Sequence, residues 1–268
     1  MRSLAIICGL KSEAAVIGRA LAAVNAGERA GVWVPGAAAQ RAEDMARTAI
    51  EEDEIAAMLS VGVSGALSPA LRPGDLLIGG RVASERGERF DCDAALISML
   101  KTALSPPAHQ GESRDPEPLH ALHQSLDPGF RRDERKEGTG VHFDAVLLGA
   151  DSIIASAEDK ARLFASYGAV AVDMESHGAA RAAKAADVPF AAIRAIADPA
   201  GRALPKAALG AVAMDGSTRV IATLLKCAKA PGDFPALLLL GRDSGAALKT
   251  LGRSLDRLLG GLLLGLDL

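Results

Sequence analysis

Ala171-Val172-Asp173-Met174-Glu175-Ser176-His177 is the stretch on which the class of this chain turns. The small apolar residues of 169–174 read as a buried strand, and from 175 to 186 the apolar positions take up helical period. The junction carries two carboxylates flanking a methionine. Acids placed there point into the crevice outside the carboxyl ends of the strands, where open α/β sheets bind ligands. The competing use is structural: a residue there caps the helix or sits near its positive end, for about 0.5 to 2 kcal/mol. Asp173 or Ser176 suits that use, which does not account for both acids.

Working outward, short apolar runs at 4–8, 31–34, 56–63, 75–83, 141–148 and 189–197 alternate with helical periodicity at 12–24, 37–51, 94–104 and 157–167. That alternation predicts an α/β sheet covered on both faces. Residues 105–138 break it. They are rich in proline and mixed charge and poor in apolar side chains, so they bury too little to offset their ordering entropy and read as a disordered insertion. Arg131, Arg132 and Arg135 are nearly neutralised by Asp133, Glu134 and Glu137, and His109, His120 and His123 lack a carboxylate shell for a metal. From 231 to 268 the chain reads as a Leu-rich helical extension, with helix-breaking Pro231 and Pro235 near its start.

At 268 residues and 49% hydrophobic composition the chain can bury one sizeable core. A net charge of -3, spread evenly, leaves no basic face for nucleic acid, so a small-molecule ligand is expected. Cys8, Cys92 and Cys227 are too widely spaced for a disulfide framework or a zinc site, which fits a reducing cytoplasm. The apolar run after Arg2 stops at Lys11 and Glu13 and reads as a strand rather than a signal peptide. Neither 236–241 nor 258–266 approaches the roughly 18 to 20 apolar residues of a transmembrane helix.

Two further segments carry chemistry. Gly62-Val63-Ser64-Gly65-Ala66 closes an apolar strand and reads as a tight turn whose small residues admit a ligand to the backbone. Ala191-Ala192-Ile193-Arg194-Ala195-Ile196-Ala197-Asp198-Pro199 delivers one carboxylate at a strand end, with Pro199 keeping Asp198 out of helical geometry. Alone, it is equally a turn-initiating Asp-Pro. No G-x-G-x-x-G or G-x-x-x-x-G-K-[ST] pattern is present, which argues against dinucleotide and P-loop chemistry.

Together and in this order, the three segments resemble the purine/uridine phosphorylase and nucleosidase superfamily, especially its methylthioadenosine/S-adenosylhomocysteine nucleosidase branch. The resemblance runs from Met1 to about Ala228. Val172 to His177, Ala197 to Pro205 and Pro231 to Leu237 are most similar to the hopanoid-associated phosphorylases, thought to release adenine from adenosylhopane. The implied fold is an α/β, nucleoside phosphorylase-like three-layer α/β/α architecture with a central mixed twisted sheet, over residues 1–230. The implied reaction is cleavage of the N-glycosidic bond of a purine nucleoside without a cofactor, by a homodimer. Peripheral membrane contact by a cytoplasmic protein is a separate expectation, resting on the apolar C-terminal extension. By the same resemblance Asp198 is the acid that protonates N7 of the base and Glu175 grips the ribose hydroxyls. Met174 lies beneath the sugar and Glu13 activates water. Ser64 and Gly65 face the sugar and nucleophile, Ile153 and Ile154 border the base, and Asp173 stands where a glutamate is usual.

Three departures bear on that assignment. Ala197 lacks the hydroxyl that precedes the family acid, so Asp198 must be positioned by something else. Ile153 replaces an aromatic ring over the base, at a cost of about 0.5 to 1.5 kcal/mol. Asp173 shortens a polar arm by one carbon. Phosphorolysis, with phosphate as co-substrate, stays open, since Lys11, Arg72 and Arg89 offer cations, although Glu13 stands where an anion would dock. A catalytically impaired nucleoside- or lipid-binding protein is the alternative from another class.

Overall fold

The computed structural model describes residues 2–105, 140–208, 216–217 and 234–268. The expected disordered insertion, its arginines and histidines, Cys227 and the residues leading to 234 lie outside these.

Among the described residues eight strands form one sheet: β1 (Ser3–Ile7), β2 (Ala30–Trp33), β3 (Ile55–Ala66), β4 (Leu76–Ser84), β5 (Arg89–Asp91), β6 (Val141–Gly149), β7 (Ala171–Asp173) and β8 (Phe190–Asp198). The helices are α1 (Lys11–Ala23), α2 (Ala39–Glu52), α3 (Ala94–Leu104), α4 (Ala157–Tyr167), α5 (Ser176–Ala185) and α6 (Phe234–Gly265). Strand β5 was not expected; three residues are too few for a periodic signal.

The pleat sorts alternate residues to the two faces. Leu4, Ile6, Leu59, Leu76 and Ile193 join α1, α3 and α6 in one core, while Ala5, Ile7, Met58, Leu77 and Ala192 join α2 and α5 in the other. This is the expected three-layer α/β/α arrangement on a mixed sheet. The ladder also closes on itself. Strand β8 pairs in parallel with β3 and antiparallel with β4, β6 lies parallel to β4 and β7, and β7 returns antiparallel to β3.

Two expectations give way. Gly62 to Ala66 is not a tight turn: β3 continues through it for 12 residues, because β8 accompanies it as far as Gly65 and β7 joins it at Gly65 and Ala66. The C-terminal extension is one 32-residue helix that runs through Pro235, which was expected to break it. Pro235 does not break it, since in the first turn a missing N–H is no loss. Its buried stripe, Ala247, Leu251, Leu255, Leu258, Leu259 and Leu262, belongs to the same core as β1, β3 and β8. No helix among the described residues is long and apolar enough to cross a membrane.

Candidate active site

The site forms where one edge of β3 changes neighbours. Strand β1 accompanies it to Ser60, opposite Ile7, and β7 takes over only at Gly65, opposite Val172. Between these points the Val63 N–H is free of a strand partner and donates to Glu13 Oε1 at 2.7 Å. Glu13 reaches this edge from the first turn of α1, and its Oε2 accepts the Leu10 N–H at 2.8 Å. A Cβ on Gly62 would lie 2.8 Å from Glu13 Oε1, so the glycine makes room for the carboxylate. Burial raises the Glu13 pKa against the pull of the Val63 N–H and Arg194.

Across this opening lies Glu175, whose Oε1 occupies the place that a Cβ on Gly9 would need. Burial pushes its pKa up to about 8, the neighbouring Asp173 charge and Glu13 add to the rise, and Arg194 opposes it. Asp173 serves its neighbours instead. Its Oδ1 accepts the Glu175 N–H at 2.9 Å and the Ser176 N–H at 2.7 Å, and its Oδ2 accepts the Ser176 hydroxyl at 2.6 Å. The capping use is thus the one it takes.

Arg194 completes the arrangement from the middle of β8, donating from Nε to Asp173 Oδ2 at 3.1 Å and from Nη2 to Ser60 Oγ at 2.7 Å and Ser176 Oγ at 2.8 Å. Burial works against the Asp173 anion, but this guanidinium and the Ser176 donors outweigh it and hold the carboxyl below its usual range. Sequence reasoning passed over Arg194, although a single arginine in an otherwise apolar buried strand demands a buried carboxylate partner.

Asp198 is the last residue of β8, opposite Gly65, where a Cβ would lie 3.3 Å from Asp198 Oδ2. The same oxygen is ion-paired with the Lys160 ammonium on α4. Asp198 Oδ1 and Ser64 Oγ are buried and have no hydrogen-bond partner among the described residues. Burial raises the Asp198 pKa; Lys160 and Arg202 pull against it, Asp243 adds to it, and the net shift is upward. Lys160 gave no signal in sequence, being one charged residue in a helix that also carries Glu158, Asp159 and Arg162.

The other expected residues are dispersed around this centre. Met174 is half-buried between the two acids, Ile153 is 44% exposed, and Ile154 packs with Leu148, Leu163 and Val172. Of the cations considered for phosphate, Arg72 is exposed, and Arg89 lines a surface cleft with Phe90, Lys184 and Phe190 that no candidate site residue borders. His177 meets Asp151 at 3.2 Å, holding the segment before Ile153 against α5. No group of three or more potential metal ligands occurs among the described residues.

Residues 15–229 match the family described as the Phosphorylase superfamily. A comparison with curated protein sequences found no significant match. Among solved structures, the chain is similar to 5′-methylthioadenosine/S-adenosylhomocysteine nucleosidase from Neisseria meningitidis, in complex with methylthio-immucillin-A, with TM-score 0.63, 17% identity and 98% and 99% of the two chains covered. The same enzyme from S. pneumoniae gives TM-score 0.64, 15% identity and coverage of 98% and 100%. Futalosine hydrolase of Helicobacter pylori gives 0.59, 15%, and 95% and 97%.

Proposed function

The chain belongs to the phosphorylase superfamily and is an N-glycosyl-bond-cleaving enzyme, and from that premise we propose that it hydrolyses a purine nucleoside with Asp198 as the acid and Glu13 as the base. The observation that carries this reading is the gathering of three buried carboxyl groups at the ends of β1, β3 and β8, with Glu13 bonded to Val63, Glu175 over Gly9 and Asp198 beside Gly65.

A purine departs poorly as an anion, so its leaving nitrogen system needs a proton, and such help supplies ~10²–10⁴ in rate. Asp198 has the raised pKa that this task requires, and its Oδ1 has no hydrogen-bond partner among the described residues. As the bond from C1′ to the base lengthens, the sugar becomes cationic, and Glu175 in its anionic form holds the ribose hydroxyls and offsets that charge. Water then adds at C1′ and gives its proton to Glu13. Hydrolysis is favoured over phosphorolysis because the Leu10 and Val63 N–H groups, which would suit an anion, are already bonded to Glu13. An incoming phosphate would meet two carboxyl groups instead.

The finer substrate is a nucleoside bearing a large apolar 5′ group, as in adenosylhopane. Three features support it: exposed Phe234, Leu238 and Leu239 in the first turns of α6, exposed Ile153, and the tether of α6 to the loop after β8 through Asp243 and Arg202. Each contacted CH₂ contributes about 0.8 kcal/mol. A homodimer touching the membrane through the same apolar turns belongs to this reading.

The test is product analysis with adenosine in the presence and absence of phosphate. Free sugar is expected under both conditions, with Asp198→Asn retaining ligand affinity and losing at least about 10² in turnover. A sugar 1-phosphate formed only with phosphate would replace water by phosphate, and an unimpaired Asp198→Asn would remove the acid.

A further inference from the structure

Lys160 is the fourth residue of α4, and its side chain is fully buried. A lysine is almost never placed so unless it is paired, because the desolvation of an ammonium is large. Its three donors meet three acceptors: Asp198 Oδ2, the Pro199 carbonyl at 3.1 Å and the Arg202 carbonyl at 2.9 Å. An ammonium has three N–H groups and no more, so its position is fully determined. Of the two Asp198 oxygens, one is therefore held by a cation and the other, Oδ1, is buried and has no hydrogen-bond partner among the described residues. Ala197, which brings no hydroxyl to the acid, leaves this contact as the one that orients the carboxyl from its Oδ2 side.

We propose that Lys160 is the positioning residue for Asp198: it fixes which oxygen faces the base and stabilises the carboxylate that remains after the proton has left. The proposal rests on the assignment of Asp198 as the acid and extends it to a residue that does not touch the substrate. In the step itself the bond from C1′ to the base breaks, its electron pair stays with the purine, and the purine takes the proton from Asp198 Oδ1. The new negative charge forms beside an ammonium already in place, so little reorganisation accompanies it. The water that adds at C1′ delivers its proton to Glu13, and exchange with solvent returns one to Asp198. Arg202 and Asp243 also face Asp198, with opposite effects on its charge, so Lys160 is the cation in direct contact but not the sole influence.

A packing role for Lys160, tying the Pro199 and Arg202 carbonyls to α4, predicts a different pattern, and the intact chain distinguishes the two. Lys160→Met keeps the length and removes the charge. It is assayed on adenosine, whose base needs a proton, and on p-nitrophenyl riboside, whose phenolate leaves without one. The expected result is a fall in kcat of about 10² on adenosine with KM little changed, and a fall of less than about threefold on the nitrophenyl riboside. The limb of kcat/KM that reports loss of the Asp198 proton moves to higher pH, and Lys160→Arg restores part of the rate on adenosine. Equal losses on the two substrates with an unmoved limb would overturn the proposal. If Lys160→Met does not fold, Lys160→Gln and Lys160→Arg carry the same comparison. If the wild type cleaves neither substrate, the functional reading fails first. Titration of the ¹³C-labelled Asp198 carboxyl then decides the pairing by itself: a midpoint that rises on removing the lysine charge upholds it, and an unchanged midpoint overturns it.

Discussion

Arg194 Nε donates to Asp173 Oδ2 at 3.1 Å, and each of the two side chains is only 1% exposed. Breaking a buried pair from one side leaves an uncompensated charge, which costs about 3–5 kcal/mol. Arg194→Met should lose stability on that scale in urea denaturation, and Asp173→Asn combined with Arg194→Gln should lose less than the two single changes added together. Strict additivity would show that the contact carries no coupling.

Glu175 gives a pH signature. Its folded-state pKa, pushed up to about 8 by burial and then by Asp173, lies above the ordinary 4.5. A carboxyl raised in this way contributes its stability in full below its unfolded value and loses it as pH rises through the folded one. Between about pH 4.5 and 8, therefore, the wild type should lose stability relative to Glu175→Gln, which has no such proton to lose. Thermal melts across that range check it, and parallel curves for the two proteins would contradict the raised pKa.

A methyl group on Gly9 would collide with Glu175 Oε1, the far end of a flexible side chain rather than backbone. Gly9→Ala should then fold with a melting temperature close to that of the wild type while moving the carboxyl proposed to hold the sugar. A drop in kcat/KM of about 10-fold or more is expected. Unchanged kinetics would place Glu175 away from the reacting sugar.

Leu238 is 60% exposed and Leu239 44%, so replacing both with aspartate removes little from the core. Stability should change by less than about 1 kcal/mol. If α6 lines the 5′ side of the substrate, kcat/KM should fall for 5′-alkyl adenosines in proportion to chain length and stay level for adenosine. A uniform response across the series would detach the helix from substrate choice.

Part of this site was legible from residue type and place. Asp173, Glu175 and Asp198 sit at strand ends where the alternation of apolar runs says a crevice must be, whereas Glu13 was singled out by the family resemblance alone, since an acid in the first turn of a helix carries no signal of its own. Fold class followed from the same alternation. Lys160 was not legible, because a buried lysine and a solvated one look alike when the helix around them is charged; only the tertiary path of the chain brings it to Asp198. The length of α6 was obscured by Pro235, read as a breaker although its position in the first turn makes it harmless. The length of β3 was obscured by glycines that admit Glu13 and flank Asp198 rather than turning the chain.

The edge of β3 over residues 61–64 has a consequence for how Glu13 must be studied. A strand normally finds its acceptors in the backbone of its neighbour, but here a side chain stands in for that backbone, accepting Val63 N–H with one oxygen and Leu10 N–H with the other. Glu13 is thus a seam stitching the loop after β1 to the sheet. Removing it orphans two N–H groups, each at about 1–3 kcal/mol. A truncation such as Glu13→Ala therefore opens the seam and deletes the proposed base in one stroke, whereas Glu13→Gln keeps an oxygen for one of the two donors and disturbs the seam less. The crevice cannot gape on that side without losing the group proposed to act in it.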